Sequence, residues 1–166
     1  TTGELLNITQ VETGKSQFKI QSIEVQYLIE ESISSNQKSA LKKNITIINK
    51  TSEKLPEIIA DPEKTQWIIS NLISNAIRYS YENIEIQIDT HVTPTHVEVS
   101  VHDFGIGISQ EYHDKVFEKY FRVPGNQKEG TGLGLSISKE FLTSMGGYIQ
   151  LKSDLGKGST FTAGFK

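Results

Sequence analysis

Residues 70–80 read SNLISNAIRYS. Isoleucine and leucine recur through the stretch, yet Asn71 and Asn75 stand four residues apart and Arg78 follows. Asparagine is a poor helix former because its side chain competes for nearby backbone groups. The segment nevertheless predicts a helix. Asp61 followed by Pro62 is an N-cap and a first-position proline, and the helix runs from about 62 to 79. At about 100° per residue, Asn71, Ser74, Asn75 and Arg78 share one stripe roughly 100° wide. Ile68, Ile69, Leu72, Ile73, Ala76 and Ile77 cover the other sides, and Trp67 lies where it can shield the stripe's edge. A helix apolar round most of its circumference is largely buried. The stripe therefore faces a cavity, with a solvent-facing polar face as the plainer alternative. Amide oxygens are hard ligands suited to Mg²⁺, and an arginine holds phosphate.

Working outward, 18–25 (FKIQSIEV) reads as a strand leading into a helix over 27–43, and 44–50 and 55–61 read as short strands. After the central helix, Ile84, Ile86 and Ile88 alternate, as do Val97, Val99 and Val101, which predicts a hairpin with one buried face. The sequence GYIQLKSD, then LGKG, then GSTFTAGF predicts a second hairpin. Two antiparallel groups with helices between them give an α+β, two-layer sandwich. The first residues, TTGELLNITQVETGK, read as the end of a helix stopping at Gly14, and so as a piece of a longer chain or an ordinary N-terminal helix.

The 166 residues suffice for one well-cored domain, and 36% hydrophobic with 22% charged content suits a globular rather than a disordered chain. The net charge of −3 gives no general affinity for nucleic acid or anionic membrane. The absence of cysteine excludes disulfides and thiolate metal sites. No apolar run reaches the length of a membrane span.

Three further stretches carry chemistry. In VHDFGIGIS a carboxylate, Asp103, ends a buried strand and is followed by Gly105 and Gly107. An ionised carboxylate only accepts hydrogen bonds, so it matches the exocyclic amine of adenine; a strand-ending turn with a capping aspartate is the alternative. In GTGLGLSIS, Gly130, Gly132 and Gly134 precede a helix, with Thr131 and Ser136 adding hydroxyls. Free N–H groups at a helix start bind anions, although a flexible loop would read alike. Between them, VFEKYFRVPGNQKE places Phe117, Tyr120, Phe121 and Arg122 in a polar segment, either a mobile cover or aromatics plugging a core. Other motifs are excluded. Asp103-Phe104-Gly105 lacks the companion motifs of a protein kinase. GTGLGLS is neither a Walker A loop nor a dinucleotide fingerprint. His91, His96, His102 and His113 lack metal-ligand spacing.

In order and spacing, SNLISNAIRYS resembles the N box, HDFGIGIS the G1 box, VFEKYFRV the F box, GTGLGLSISKEF the G2 box and GKGSTF the last glycine motif of one family. Together they resemble the catalytic, ATP-binding domain of bacterial sensor histidine kinases, a Bergerat fold shared with gyrase B, Hsp90 and MutL. The resemblance implies a mixed, mainly antiparallel sheet covered on one face by helices. It implies ATP and Mg²⁺ as cofactors. Asn75 matches the metal ligand, with Asn71 one turn earlier, Arg78 a phosphate contact and Tyr79 an aromatic beside the nucleotide. Asp103 matches the adenine reader, flanked by Gly105, Gly107 and Ile108. Gly130, Thr131, Gly132, Leu133, Gly134 and Leu135 match the phosphate turn, and Phe117 the nucleotide side of the F box. Arg122 matches a lid arginine steadying the γ-phosphate, and Thr160 a residue reaching adenine through water. Asn71, Arg78 and Arg122 are the implied catalytic set.

By the same resemblance, residues 1–15 are the end of a truncated dimerisation and phosphoacceptor helix with its linker, and 16–166 the catalytic domain. None of the four histidines matches the phosphoacceptor. The implied partners are the chain's own absent phosphoacceptor domain and, through the full-length kinase, a response regulator receiver domain. No nucleic acid and no direct membrane contact are implied, and the isolated domain is expected to be monomeric. The implied location is cytoplasmic, including the cytosolic part of a membrane-bound sensor. Gyrase and Hsp90 carry a glutamate where this chain has Asn71; without that base for water, transfer to an imidazole is favoured over hydrolysis. An ATPase switch of the gyrase or Hsp90 kind and a non-enzymatic nucleotide-binding module are the rival readings.

Overall fold

The computed structural model describes residues 17–52, 54–124 and 132–166. The expectations for the N-terminal helix end, Gly130 and Thr131 fall outside the described residues. In chain order the elements are β1 (Gln21–Ile23), α1 (Val25–Lys42), β2 (Thr46–Asn49), β3 (Ile58–Ala60), α2 (Pro62–Tyr79), β4 (Glu85–Val92) and β5 (Val97–Asp103). Two 3₁₀ turns follow, Gln110–Tyr112 and Lys115–Phe117. Then come α3 (Gly134–Ser144), β6 (Tyr148–Asp154) and β7 (Gly158–Phe165).

The sheet has five strands in the order β2-β4-β5-β7-β6, and β1 pairs with β3 in a separate two-stranded sheet. The two hairpins expected from the alternating runs both form, but they are not separate groups. β5 and β7 pair antiparallel and fuse them, while β2 joins β4 in parallel. The reason is shared facing. Val97, Val99 and Val101 stand opposite Phe165, Ala163 and Phe161, so one continuous apolar face forms across the junction. All six side chains are buried. The helices cover that face: α2 packs on β5 and β7, α3 on β6 and β7, and α1 on α2. This is the α+β two-layer sandwich with a mixed, mainly antiparallel sheet.

The central helix starts and stops as its sequence dictates. Asp61 caps it, Oδ1 accepting from Lys64 N at 3.2 Å, while Oδ2 accepts from Lys19 N at 2.8 Å. Ile68, Ile69, Leu72, Ile73, Ala76 and Ile77 are all buried. At the other end Lys43 Nζ donates to the carbonyls of Ile77, Arg78 and Ser80 at 2.8, 3.2 and 2.7 Å. A cation on the last carbonyls satisfies orphan acceptors and complements the helix dipole. Ser70, in the quoted stretch, accepts at 3.0 Å from Asn36 Nδ2 of α1, which fixes the rotation of α2 between its neighbours.

Candidate functional site

The polar stripe of α2 opens onto a cavity of about 770 Å³. Asn71, Asn75, Arg78 and Tyr79 line one wall, Asp103, Gly107 and Ile108 the floor, and Gly132, Gly134 and Leu135 the far side. Arg122 and Phe121 line the cavity as well, with Tyr112, Val123 and Pro124. Thus α2, the end of β5, the turns after it and the start of α3 converge, although 70 and 134 lie far apart in the chain. The cavity alternative for the stripe holds: Asn75 is only 7% exposed. Ser74 does not line the cleft. Trp67 packs edge-on against Phe141, centroids 5.7 Å apart, and so belongs to the core rather than to the stripe's edge.

The side chains are held in defined directions. Arg78 Nη1 donates to Asn75 Oδ1 at 3.2 Å. Asn71 Nδ2 donates to Ser138 Oγ at 3.4 Å, and that hydroxyl donates to Gly134 O at 2.8 Å. Gly134 makes room for the Asn71 side chain: a Cβ there would lie 2.4 Å from Asn71 Oδ1 and would displace the carboxamide. The first turn of α3 therefore sits directly on Asn71, and its Gly134 and Leu135 line the same cavity that Asn71 borders.

Asp103 continues the buried row of Val97, Val99 and Val101, because residues two apart share a face. Its Oδ1 accepts from Gly105 N at 3.1 Å and from Ser159 N at 3.2 Å. Its Oδ2 has no hydrogen-bond partner among the described residues. Burial pushes its pKa from 3.8 up to about 6, against the two N–H donors, which pull it down. A mostly buried carboxylate with one committed and one uncommitted oxygen is a built receptor for an N–H donor. Gly158, with φ +89 and a would-be Cβ 2.1 Å from Asp103 O, lets β7 start hard against the end of β5.

Four expected positions do not reach the cavity. Thr160 lies on the opposite face of β7, its Oγ1 2.8 Å from His102 Nδ1; Ser159, one residue earlier, lines the cleft instead. The strand alternation decides between them, since Ser159 pairs with Asp103 and Thr160 with His102. Phe117 turns away to pack edge-on on Phe161 at 6.2 Å, beneath Lys139. Leu133 is a core residue, and Gly105 is buried against the Tyr79 carbonyl, where a Cβ would lie 2.0 Å from the oxygen. Reading the sequence also missed Ser159, Tyr112, Glu111 and Leu155, which line the cleft. Only Ser159 carried a signal, its even spacing from the buried Phe161, Ala163 and Phe165.

His113 Nε2 is 3.0 Å from Ile108 O and His96 Nε2 is 2.8 Å from Gly146 O, so these rings have structural partners. Among the described residues no three His, Asp or Glu side chains form a metal cage. A hard cation in this cleft would be held by the Asn75 carboxamide, a fitting donor, together with oxygens of the ligand and water. Among the described residues no helix is long and apolar enough to cross a membrane.

Residues 60–166 match the model of the histidine kinase-, DNA gyrase B-, and HSP90-like ATPase family. The sensor protein EvgS of Escherichia coli is 32% identical over 169 residues, which cover 96% of this chain and 14% of EvgS. The chain thus spans a small part of that relative. The nucleotide-free catalytic domain of histidine kinase ThkA superposes with a TM-score of 0.78 at 28% identity, covering 89% of this chain and 95% of that one. ThkA in complex with response regulator protein TrrA superposes at 0.78 and 24% identity, covering 99% and 48%. Full-length ShkA in complex with AMPPNP gives 0.85 at 23% identity, covering 97% and 34%, a likeness of fold.

Proposed function

Because the chain belongs to the histidine kinase-, DNA gyrase B- and HSP90-like ATPase family, we propose that it is the ATP-binding catalytic domain of a two-component sensor histidine kinase. It holds ATP in the cleft and passes the γ-phosphoryl to an imidazole on a phosphoacceptor domain. Residues 16–166 are then the catalytic unit. The cytosolic side of the cell and a response regulator as downstream partner belong to the same proposal.

The observation that carries this reading is the convergence on one 770 Å³ cavity of Asp103, the α2 amides and the start of α3. Asp103 Oδ2 would accept the adenine amine, with Ser159 beside it. Arg78, Arg122 and the N–H groups at the start of α3 would face the phosphates. Asn75 would hold Mg²⁺, which when bound neutralises phosphate charge. Phosphoryl transfer needs little more than such positioning and neutralisation. The imidazole lone pair forms the N–P bond as the β–γ bridge bond breaks; ADP leaves and the imidazole proton goes to solvent. Asn71 faces the cleft where a general base for water would sit, and an amide takes no proton at neutral pH. Held by Ser138 and Gly134, it positions rather than activates.

The test has two parts. The isolated chain is titrated with ATP and GTP, with and without Mg²⁺, and its hydrolysis is followed. Selective, Mg²⁺-enhanced ATP binding with negligible turnover is expected, and phosphorylation of histidine on a separately supplied phosphoacceptor domain. Rapid hydrolysis by the chain alone would contradict the role of Asn71; absence of binding would leave the fold without this function.

A further inference from the structure

Tyr112, at the end of the first 3₁₀ turn, lies ring to ring with Phe121: the centroids are 5.8 Å apart and the planes tilted by 40°. Both side chains are half-buried and both line the cleft. Tyr112 is itself held, its N donating to Ser109 O at 2.9 Å, and the Nε2 of His113 next to it lies 3.0 Å from Ile108 O. On the other side of the pair, Tyr120 takes a left-handed φ of 64° and its N donates to Gly132 O at 2.9 Å. The Tyr120 ring is 64% exposed, while Phe121 and Arg122 line the cavity.

Arg122 lines the cleft yet makes no hydrogen bond or ion pair among the described residues. A long, unpaired guanidinium side chain loses much rotamer freedom when it takes a ligand. The root of that side chain is fixed. Arg122 follows Phe121 directly, so a ring held against Tyr112 sets where the arginine leaves the backbone. Two anchors thus precede it, a backbone bond at Tyr120 and a ring contact at Phe121. Aromatic pairs at this spacing attract beyond the area they bury. The Tyr112 hydroxyl has no hydrogen-bond partner among the described residues, so the ring does the holding.

We propose that Tyr112 is a positioning residue for recognition of the terminal phosphate: its ring seats Phe121, and Phe121 in turn sets Arg122 where it meets a γ-phosphate. The inference rests on the nucleotide reading of the cleft. A nucleoside diphosphate offers Arg122 no γ-phosphate, so loss of the ring pair penalises the triphosphate and not the diphosphate. Tyr112 thereby bears on which form the cleft prefers, substrate or spent product, through a neighbour rather than by contact with the reacting atoms.

The experiment compares AMPPNP, a non-hydrolysable ATP analogue, with ADP by calorimetric titration of the chain with Mg²⁺, for the parent, Tyr112→Ala, Tyr112→Phe and Arg122→Ala. The pair cannot impose on the affinity ratio more than it is itself worth, so Tyr112→Ala should lower the AMPPNP-to-ADP ratio about fivefold. Tyr112→Phe, which keeps the ring, should keep the parent ratio; a fall there would assign the effect to the hydroxyl and overturn the proposal. Arg122→Ala should lower the ratio at least as far, and adding Tyr112→Ala to it should lower it no further. A residue that only walls the cleft would lower both affinities by one factor. An unchanged ratio in Tyr112→Ala or in Arg122→Ala therefore overturns the proposal, as does a further fall in the double variant. Should Tyr112→Ala not fold, Tyr112→Leu fills the space without a ring and should lower the ratio too; an unchanged ratio there overturns the proposal equally. A parent chain that binds neither nucleotide overturns the nucleotide reading, a result distinct from an AMPPNP-binding parent whose ratio Tyr112 does not control.

Discussion

Asp103 concentrates the chemistry of the cleft in one side chain. Its folded pKa, about 6, lies above the ordinary 3.8, so the folded state favours the protonated form. Stability from this group is fully present below pH 3.8 and is lost as the pH rises through about 6. At neutral pH the buried charge costs on the order of 3 kcal/mol relative to the unfolded chain. An asparagine keeps the Oδ1 acceptor for Gly105 N and Ser159 N but carries no charge. Asp103→Asn should therefore be at least as stable as the parent at pH 7 by thermal melting. The same variant should bind ATP more than about tenfold more weakly, since its amide N–H₂ would meet the adenine amine donor to donor. For the parent, ATP affinity should fall as the pH drops through about 6, because protonation removes the accepting charge. A pH-independent affinity between 5 and 8 would remove Asp103 from base recognition. Asn75→Ala should abolish the Mg²⁺ enhancement of ATP binding while leaving the melting temperature nearly unchanged, which calorimetry with and without the metal would show. Asp103 ends an alternating valine row, so the period of two that placed the valines also placed the carboxylate on the buried face. Thr160 falls outside the cleft by the same period: in β7 it is Ser159, not Thr160, that shares the face of Asp103.

Two contacts between elements set the geometry of the walls. α3 starts against α2 because Gly134 leaves room for the Asn71 carboxamide. Gly134→Ala should displace the Asn71 carboxamide from Ser138, lowering both the melting temperature and nucleotide affinity. Asn71→Ala in the same chain should recover the melting temperature, since the clash is with a side chain. No such rescue is available at Gly158, where the close atom is the Asp103 backbone oxygen. At the other end of α2, Lys43 covers three carbonyls. Lys43→Met should cost about 1–3 kcal/mol, the desolvation penalty of acceptors left bare, measurable by denaturant unfolding. The bounds of α2 were readable because its N-cap, proline and apolar faces are all local signals. The lysine clamp was not, because it depends on a residue from the end of α1 that local pattern does not connect to α2. For the same reason Phe117 was placed in the cleft: local composition marks an aromatic in a polar segment but not which way it turns.

For the whole molecule, the sequence patterns specified each hairpin but not their union. The pairing of β5 with β7 follows from matching apolar faces of strands more than fifty residues apart, a relation that no window along the chain contains. Among the described residues, every wall of the cleft except α2 lies within that span. Asp103 and Ser159 acquire their relation only through this pairing. One consequence concerns biogenesis. A nascent chain emerges with α2 and the first hairpin in hand long before β7 appears, and until β7 docks no base-reading edge exists. Nucleotide therefore offers early folding intermediates no refuge; it rewards only molecules whose final strand has been made and zipped into the middle of the sheet.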